Sequence, residues 1–124
     1  MQSGQRLGLA AGNASGDNRR AMYAIAIVRY RRPIQEVEAV TPEHRVYLRQ
    51  LKAEGRLVAS GPMDPRYGGV FLLKVSDDNP QRDLDAIRDG DPFFQQHIAQ
   101  YELIAWNVVV GKEDLDRIAA PPPA

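Results

Sequence analysis

The chain of 124 residues contains no cysteine. Disulfides, thiolate nucleophiles and every cysteine-based zinc site are therefore excluded. It has only two histidines, which leaves few candidates for acid–base work near neutral pH. Charge of one sign is also missing. Sixteen Lys and Arg balance sixteen Asp and Glu, so no global field favours nucleic acid or an anionic membrane. No apolar run approaches the roughly 20 residues that span a bilayer. A phosphate-cradling glycine loop, a dinucleotide fingerprint and a nucleic-acid motif are all absent. What remains is a chain long enough for one domain, with 44% apolar and 26% charged residues, an ordinary composition for a soluble protein. A reducing, cytoplasmic compartment is the expectation.

Both ends differ from the middle. Residues 1–21 are rich in Gly, Ser, Asn and Gln, and carry no apolar segment of the roughly 7 to 15 residues a secretory signal needs. The Arg19-Arg20 pair precedes MYAIAIV, but that run reads as a first strand rather than a twin-arginine signal. A disordered extension over 1–21 is expected, with Met22 a candidate start of the folded chain. The domain is expected over 22–112, followed by a C-terminal tail over 113–124 that ends in prolines and alanines.

Between these ends the order reads βαββαβ. Met22 to Tyr30 is a buried strand. Thr41-Pro42-Glu43 reads as a helix start, with Thr as cap and Pro at the first helical position, and Gly55 ends that helix. Arg56 to Ser60 and Val70 to Val75 are further strands. Asn79-Pro80 opens a second helix that closes at Gly90. Asp91-Pro92 opens a short turn, and Tyr101 to Val110 forms the last strand. This is an α+β, ferredoxin-like arrangement: a four-stranded antiparallel sheet with both helices on one face. The other face should be polar if it met water. Instead Tyr23, Ile25 and Ile27 alternate with Ala24, Ala26 and Val28, leaving both faces apolar. A homodimer through the sheets is expected.

For chemistry, His44 shares an inward helical stripe with Leu48 and Leu51. With a cap at Thr41 it would sit near a helix N-terminus, whose dipole disfavours imidazolium, a setting for a general base. By spacing alone, a core-edge histidine without a role is the better reading. Asp91 reads first as the cap of the turn that Pro92 begins, and second as a carboxylate partner for an imidazole N–H. A carboxylate has enough lone pairs for both. His97 could complete a two-His-one-carboxylate metal site, although nothing in the spacing requires one, and no metal or cofactor is expected. Arg29, Arg31 and Arg32 could attract an anion or simply form a solvated edge. Phe93 and Phe94 read as core.

Four motifs in register then point to a family. They are the run Glu43-His44-Arg45-Val46-Tyr47-Leu48, Glu54-Gly55-Arg56-Leu57, Ser60-Gly61-Pro62-Met63, and Asp91-Pro92-Phe93. Together they resemble the YCII-related (YciI-like) family over nearly all of Met22 to Val110. The resemblance implies a dimeric α+β barrel whose active site centres on the residues that fall here on His44 and Asp91. It further implies proton abstraction from a small molecule by a cofactor-independent lyase, isomerase or dehydrochlorinase, with His44 as base and Asp91 as its orienter. Ser60, Gly61, Pro62 and Phe93 would border the substrate, Ser60 as a hydrogen-bond donor or merely as a small residue at a strand end. The connection Asp64-Pro65-Arg66-Tyr67-Gly68-Gly69 is shorter than family members often show, which argues against transferring a substrate by analogy. A non-catalytic small-molecule-binding or accessory module on the same dimer is the rival reading.

Overall fold

The computed structural model describes residues 21–119. The readings for residues 1–20 and for the final Ala-Pro segment, 120–124, lie outside the described residues. The chain runs β1 (Ala21–Tyr30), α1 (Ile34–Ala53), β2 (Leu57–Pro62), β3 (Gly68–Ser76), α2 (Pro80–Gly90), α3 (Pro92–Gln95), β4 (Ala99–Trp106) and α4 (Lys112–Ile118). The strands form one sheet in the order β2-β3-β1-β4, with every neighbouring pair antiparallel. The expected ferredoxin-like α+β fold is the one observed. No helix among the described residues is long and apolar enough to cross a membrane.

Helix α1 departs from the expectation, and the difference matters for the site. It begins at Ile34 rather than at Thr41, and Pro42 lies inside it. Pro42 has no N–H for the preceding turn, and such prolines usually end or kink a helix. Here the residue is exposed, so water can satisfy the carbonyl it leaves without a donor. Thr41, instead of capping, donates its hydroxyl to the Val37 carbonyl at 2.7 Å. Packing holds the helix together across this point: Val37, Val40, Thr41, His44 and Leu51 form one buried stripe at helical spacing. At its other end Gly55 has φ of 78°, and Gly55 N–H and Arg56 N–H donate to the Lys52 and Leu51 carbonyls at 3.1 and 2.9 Å. That is the Schellman closure which glycine permits.

One sheet face carries the core. Ala24 and Ala26 are fully buried beside Val28, Phe71 and Leu73 from the strands and Val37, Leu51, Leu84 and Ile87 from the helices. The two alanines on the central strand allow the helices to approach closely. Gly90 ends α2 for a related reason. A methyl group there would fall 2.5 Å from the Tyr47 hydroxyl, which donates to the Ile87 carbonyl at 2.7 Å and ties α1 to α2.

On the opposite face, Ile25 pairs with Leu72 and Ile104, and Tyr23 with Lys74 and Trp106. The last strand stops at Trp106, short of the expected Val110, and the segment read as a tail from residue 113 forms α4. This helix covers one end of the face, where the Tyr23 hydroxyl donates to Asp116 Oδ1 at 2.7 Å and Lys74 Nζ donates to the Ala119 carbonyl at 3.2 Å. Val70, Ile104 and Trp106 stay 37–40% exposed beyond it.

Candidate active site

The site forms where β1 ends, beneath the middle of α1. Asp91 lies between α2 and α3 in extended conformation, and its Oδ1 accepts the Phe93 N–H at 2.9 Å, with Pro92 in the first position of α3. The expected cap is therefore made. The same oxygen lies 2.8 Å from His44 Nδ1, 47 residues earlier in the chain. The second oxygen accepts a short hydrogen bond from the Tyr101 hydroxyl on β4. Asp91 has no exposed surface. A carboxylate in such a place would cost several kcal/mol were it unpaired, and three donors offset that cost.

A carboxylate that already accepts a backbone N–H acts as acceptor toward the imidazole as well, so His44 Nδ1 carries the proton. The ring is clamped in that orientation by Phe93, whose plane lies 7° from parallel with centroids 3.9 Å apart, and by Phe71 at 5.9 Å. Nε2 is left without a hydrogen-bond partner among the described residues. His44 lies on the wall of a cavity of about 310 Å³, at the small end for ligand pockets. Because α1 starts at Ile34, His44 is its eleventh residue, far from the helix N-terminus. The dipole expected to disfavour imidazolium falls off within the first turn and does not reach it.

Ser60, Gly61, Pro62 and Phe93 all line this cavity with His44. Phe93 is also core, at 2% exposure. Ser60 faces the helices because it pairs with Phe71 across β2 and β3. Arg29, at the end of β1, and Arg31 and Arg32, just after it, lie elsewhere. Arg29 pairs with Glu102, Arg32 with Glu36, and Arg31 bonds Gln100. His97 is exposed with φ of 59°, and no three potential ligands gather as a metal set among the described residues. Tyr67 is 57% exposed and does not line the cavity, whereas Arg66 does, with Arg45, Thr41 and Tyr30.

Tyr101 is a site residue that the sequence did not single out. Its only sequence signal is alternation: Tyr101 pairs with Val28 on the core face, which brings it to Asp91. Burial, reinforced by the Asp91 carboxylate beside it, holds its phenol protonated well above the ordinary value of 10.0. The folded state thus binds this proton more tightly than the unfolded chain does. Stability from this source is constant below about pH 10 and falls as the pH rises further, because only the unfolded chain gains by ionising. Urea midpoints measured between about pH 8 and 11 should therefore decline, and Tyr101→Phe should decline less steeply. The variant should also lose about 1–3 kcal/mol at neutral pH, since one Asp91 oxygen is left without its donor. Parallel alkaline curves for the two proteins would contradict the assignment.

The ferredoxin-like unit thus sets a buried His–carboxylate pair beside a half-open cavity. Residues 22–107 match the YCII-related domain, and the chain belongs to that family. No curated protein matches the sequence. Among solved structures, the chain is similar to 5-chloro-2-hydroxyhydroquinone dehydrochlorinase (TftG) from Burkholderia phenoliruptrix AC1100, in complex with 2,5-dihydroxybenzoquinone. The TM-score is 0.54 at 22% identity, covering 69% of this chain and 95% of that one. At that identity the likeness shows a shared fold.

Proposed function

We propose that the protein is a cofactor-independent enzyme of lyase or isomerase type, in which His44 removes a proton from a small molecule held in the cavity. The observation that carries this reading is the arrangement around one ring. Nδ1 is engaged by a buried carboxylate, the ring planes are clamped, and Nε2 is the one polar atom of the imidazole left for a ligand. In the proposed step Nε2 takes the proton, and the imidazolium that forms is stabilised by Asp91. The electron pair released then either forms a new π bond as a leaving group such as chloride departs, or takes a proton back at another carbon. Ser60 would donate to the oxyanion that develops. The dehydrochlorinase name of the structural neighbour favours the first course.

The test is exchange and elimination measured together. Wild type and His44→Ala are incubated in D2O with 5-chloro-2-hydroxyhydroquinone and with small 1,3-dicarbonyl compounds, carboxylate-bearing ones among them, reading deuterium wash-in and chloride release. Acceleration by wild type that His44→Ala loses supports the enzyme. Equal rates for the two proteins across the set leave the binding-module reading.

The proposal includes a homodimer formed by the part of the outer sheet face that α4 leaves open, where Val70, Ile104 and Trp106 are exposed. Sedimentation at micromolar concentration should give a dimer, and Ile104→Arg should shift it to monomer. A wild-type monomer at that concentration would end this part of the proposal.

A further inference from the structure

The cavity wall has an unbalanced charge. Arg45 and Arg66 line it, and no Asp or Glu does. Most other arginines of the described chain reach a carboxylate, among them Arg29, Arg32, Arg56 and Arg88. Arg45 and Arg66 make no ion pair among the described residues. The Arg66 guanidinium is nevertheless held in place. Its Nε donates to the Tyr30 hydroxyl at 3.1 Å, Nη2 reaches Thr41 Oγ1 at 3.4 Å, and the group lies 5.7 Å from the Tyr30 ring centroid. These partners are neutral, so no carboxylate among the described residues pairs with the charge. They also engage only one side of the guanidinium. Nη1 and the remaining Nη2 hydrogen form an open fork, the edge that matches two oxygens of one carboxylate.

From this we infer that the ligand of the cavity is a small organic carboxylate, bound by the open edge of Arg66 with Arg45 as a second cation at the mouth. The inference rests on the reading of the cavity as a substrate site, and adds the charge and head group of what it takes. The tether matters as much as the charge. Although Arg66 is exposed, a guanidinium already oriented by Tyr30 and Thr41 loses less freedom on binding than an untethered one. The volume of about 310 Å³ limits the remainder of the ligand to roughly the size of one ring or a short chain. The apolar wall of Val28, Phe71 and Leu48 suits such a body, and His44 on the same wall faces it.

Benzoate and its neutral isostere benzamide are the probes, titrated into the full-length protein while amide and imidazole resonances are followed by NMR. Benzoate should shift the signals of Ser60, Gly61 and His44 saturably in the millimolar range. Benzamide should bind about tenfold more weakly or worse, a difference of roughly one charge-assisted hydrogen bond. Arg66→Gln should weaken benzoate by a similar factor without changing benzamide, and Arg66→Lys should recover part of the loss. Equal affinity for the two probes, an unchanged Kd in Arg66→Gln, or no benzoate binding up to tens of millimolar would overturn the inference. His44→Gln separates this from the proposed reaction. If benzoate binding depends on Arg66 and survives in His44→Gln while no His44-dependent proton transfer is found, the base fails and the anion site stands.

Discussion

Asp91→Ala is expected to lower the free energy of unfolding by about 3–5 kcal/mol, the range for removing one partner of a buried charge pair. The size follows from how many groups lose their acceptor at once. The Phe93 N–H loses its helix cap, worth about 1 kcal/mol by itself. The His44 N–H and the Tyr101 hydroxyl are left in a region where little water can replace the carboxylate. These losses are not additive, because all three meet in one network. Against a total stability that is typically 5–15 kcal/mol, the loss would leave the domain marginal. Urea denaturation of wild type, Asp91→Ala and Asp89→Ala makes the comparison. Asp89 is two residues away and pairs with Arg88 at the surface, its side chain 59% exposed. Its removal should cost under about 1 kcal/mol. If both variants unfold at the same midpoint, Asp91 is not the node described above.

The local devices of the chain are largely legible in its sequence. Asn79 caps α2, accepting from Arg82 N–H at 3.2 Å, and Asp91 caps α3, because a short polar side chain before proline has few alternative uses. Gly55 ends α1 in left-handed conformation as expected. The failures have physical causes as well. Thr41-Pro42-Glu43 carries every signal of a helix start, yet the buried stripe through Val37 and Val40 continues the helix across it. Tertiary packing outweighed the local preference. That error moved His44 to the wrong part of its helix, although its inward face was read correctly from Leu48 and Leu51. By spacing alone the contact of His44 with Asp91 was the weaker reading, since nothing local links residues so far apart, and only the family resemblance brought the two together. Tyr101 and Arg66 were harder still. One depends on the register of β4 against β1. The other depends on where the loop after β2 brings a side chain that looks like surface in the sequence. Helix α4 has no strong apolar stripe, and it is tied to the sheet by polar contacts to Tyr23 and Lys74.

Whether the buried pair serves the fold or the chemistry is decided by a variant that keeps the first and impairs the second, namely Asp91→Asn. Asparagine caps helices as well as aspartate does, so the Phe93 N–H keeps its acceptor. Its side-chain oxygen can still accept from His44 Nδ1 if the amide is oriented that way. The amide nitrogen then faces Tyr101, whose hydroxyl can turn from donor to acceptor. Stability should consequently fall by about 1 kcal/mol only. The negative charge, however, is gone, and with it the stabilisation of the imidazolium that the proposed proton transfer would form. Proton transfer should fall by about 10²–10⁴-fold, the ordinary contribution of a positioned acid–base group, approaching the loss in His44→Ala. Unfolding midpoints and deuterium wash-in measured on the same preparations give both quantities. A variant that folds and keeps its rate would make Asp91 a structural cap that happens to touch a histidine. A variant that folds and loses its rate would make it the positioning residue of a catalytic base.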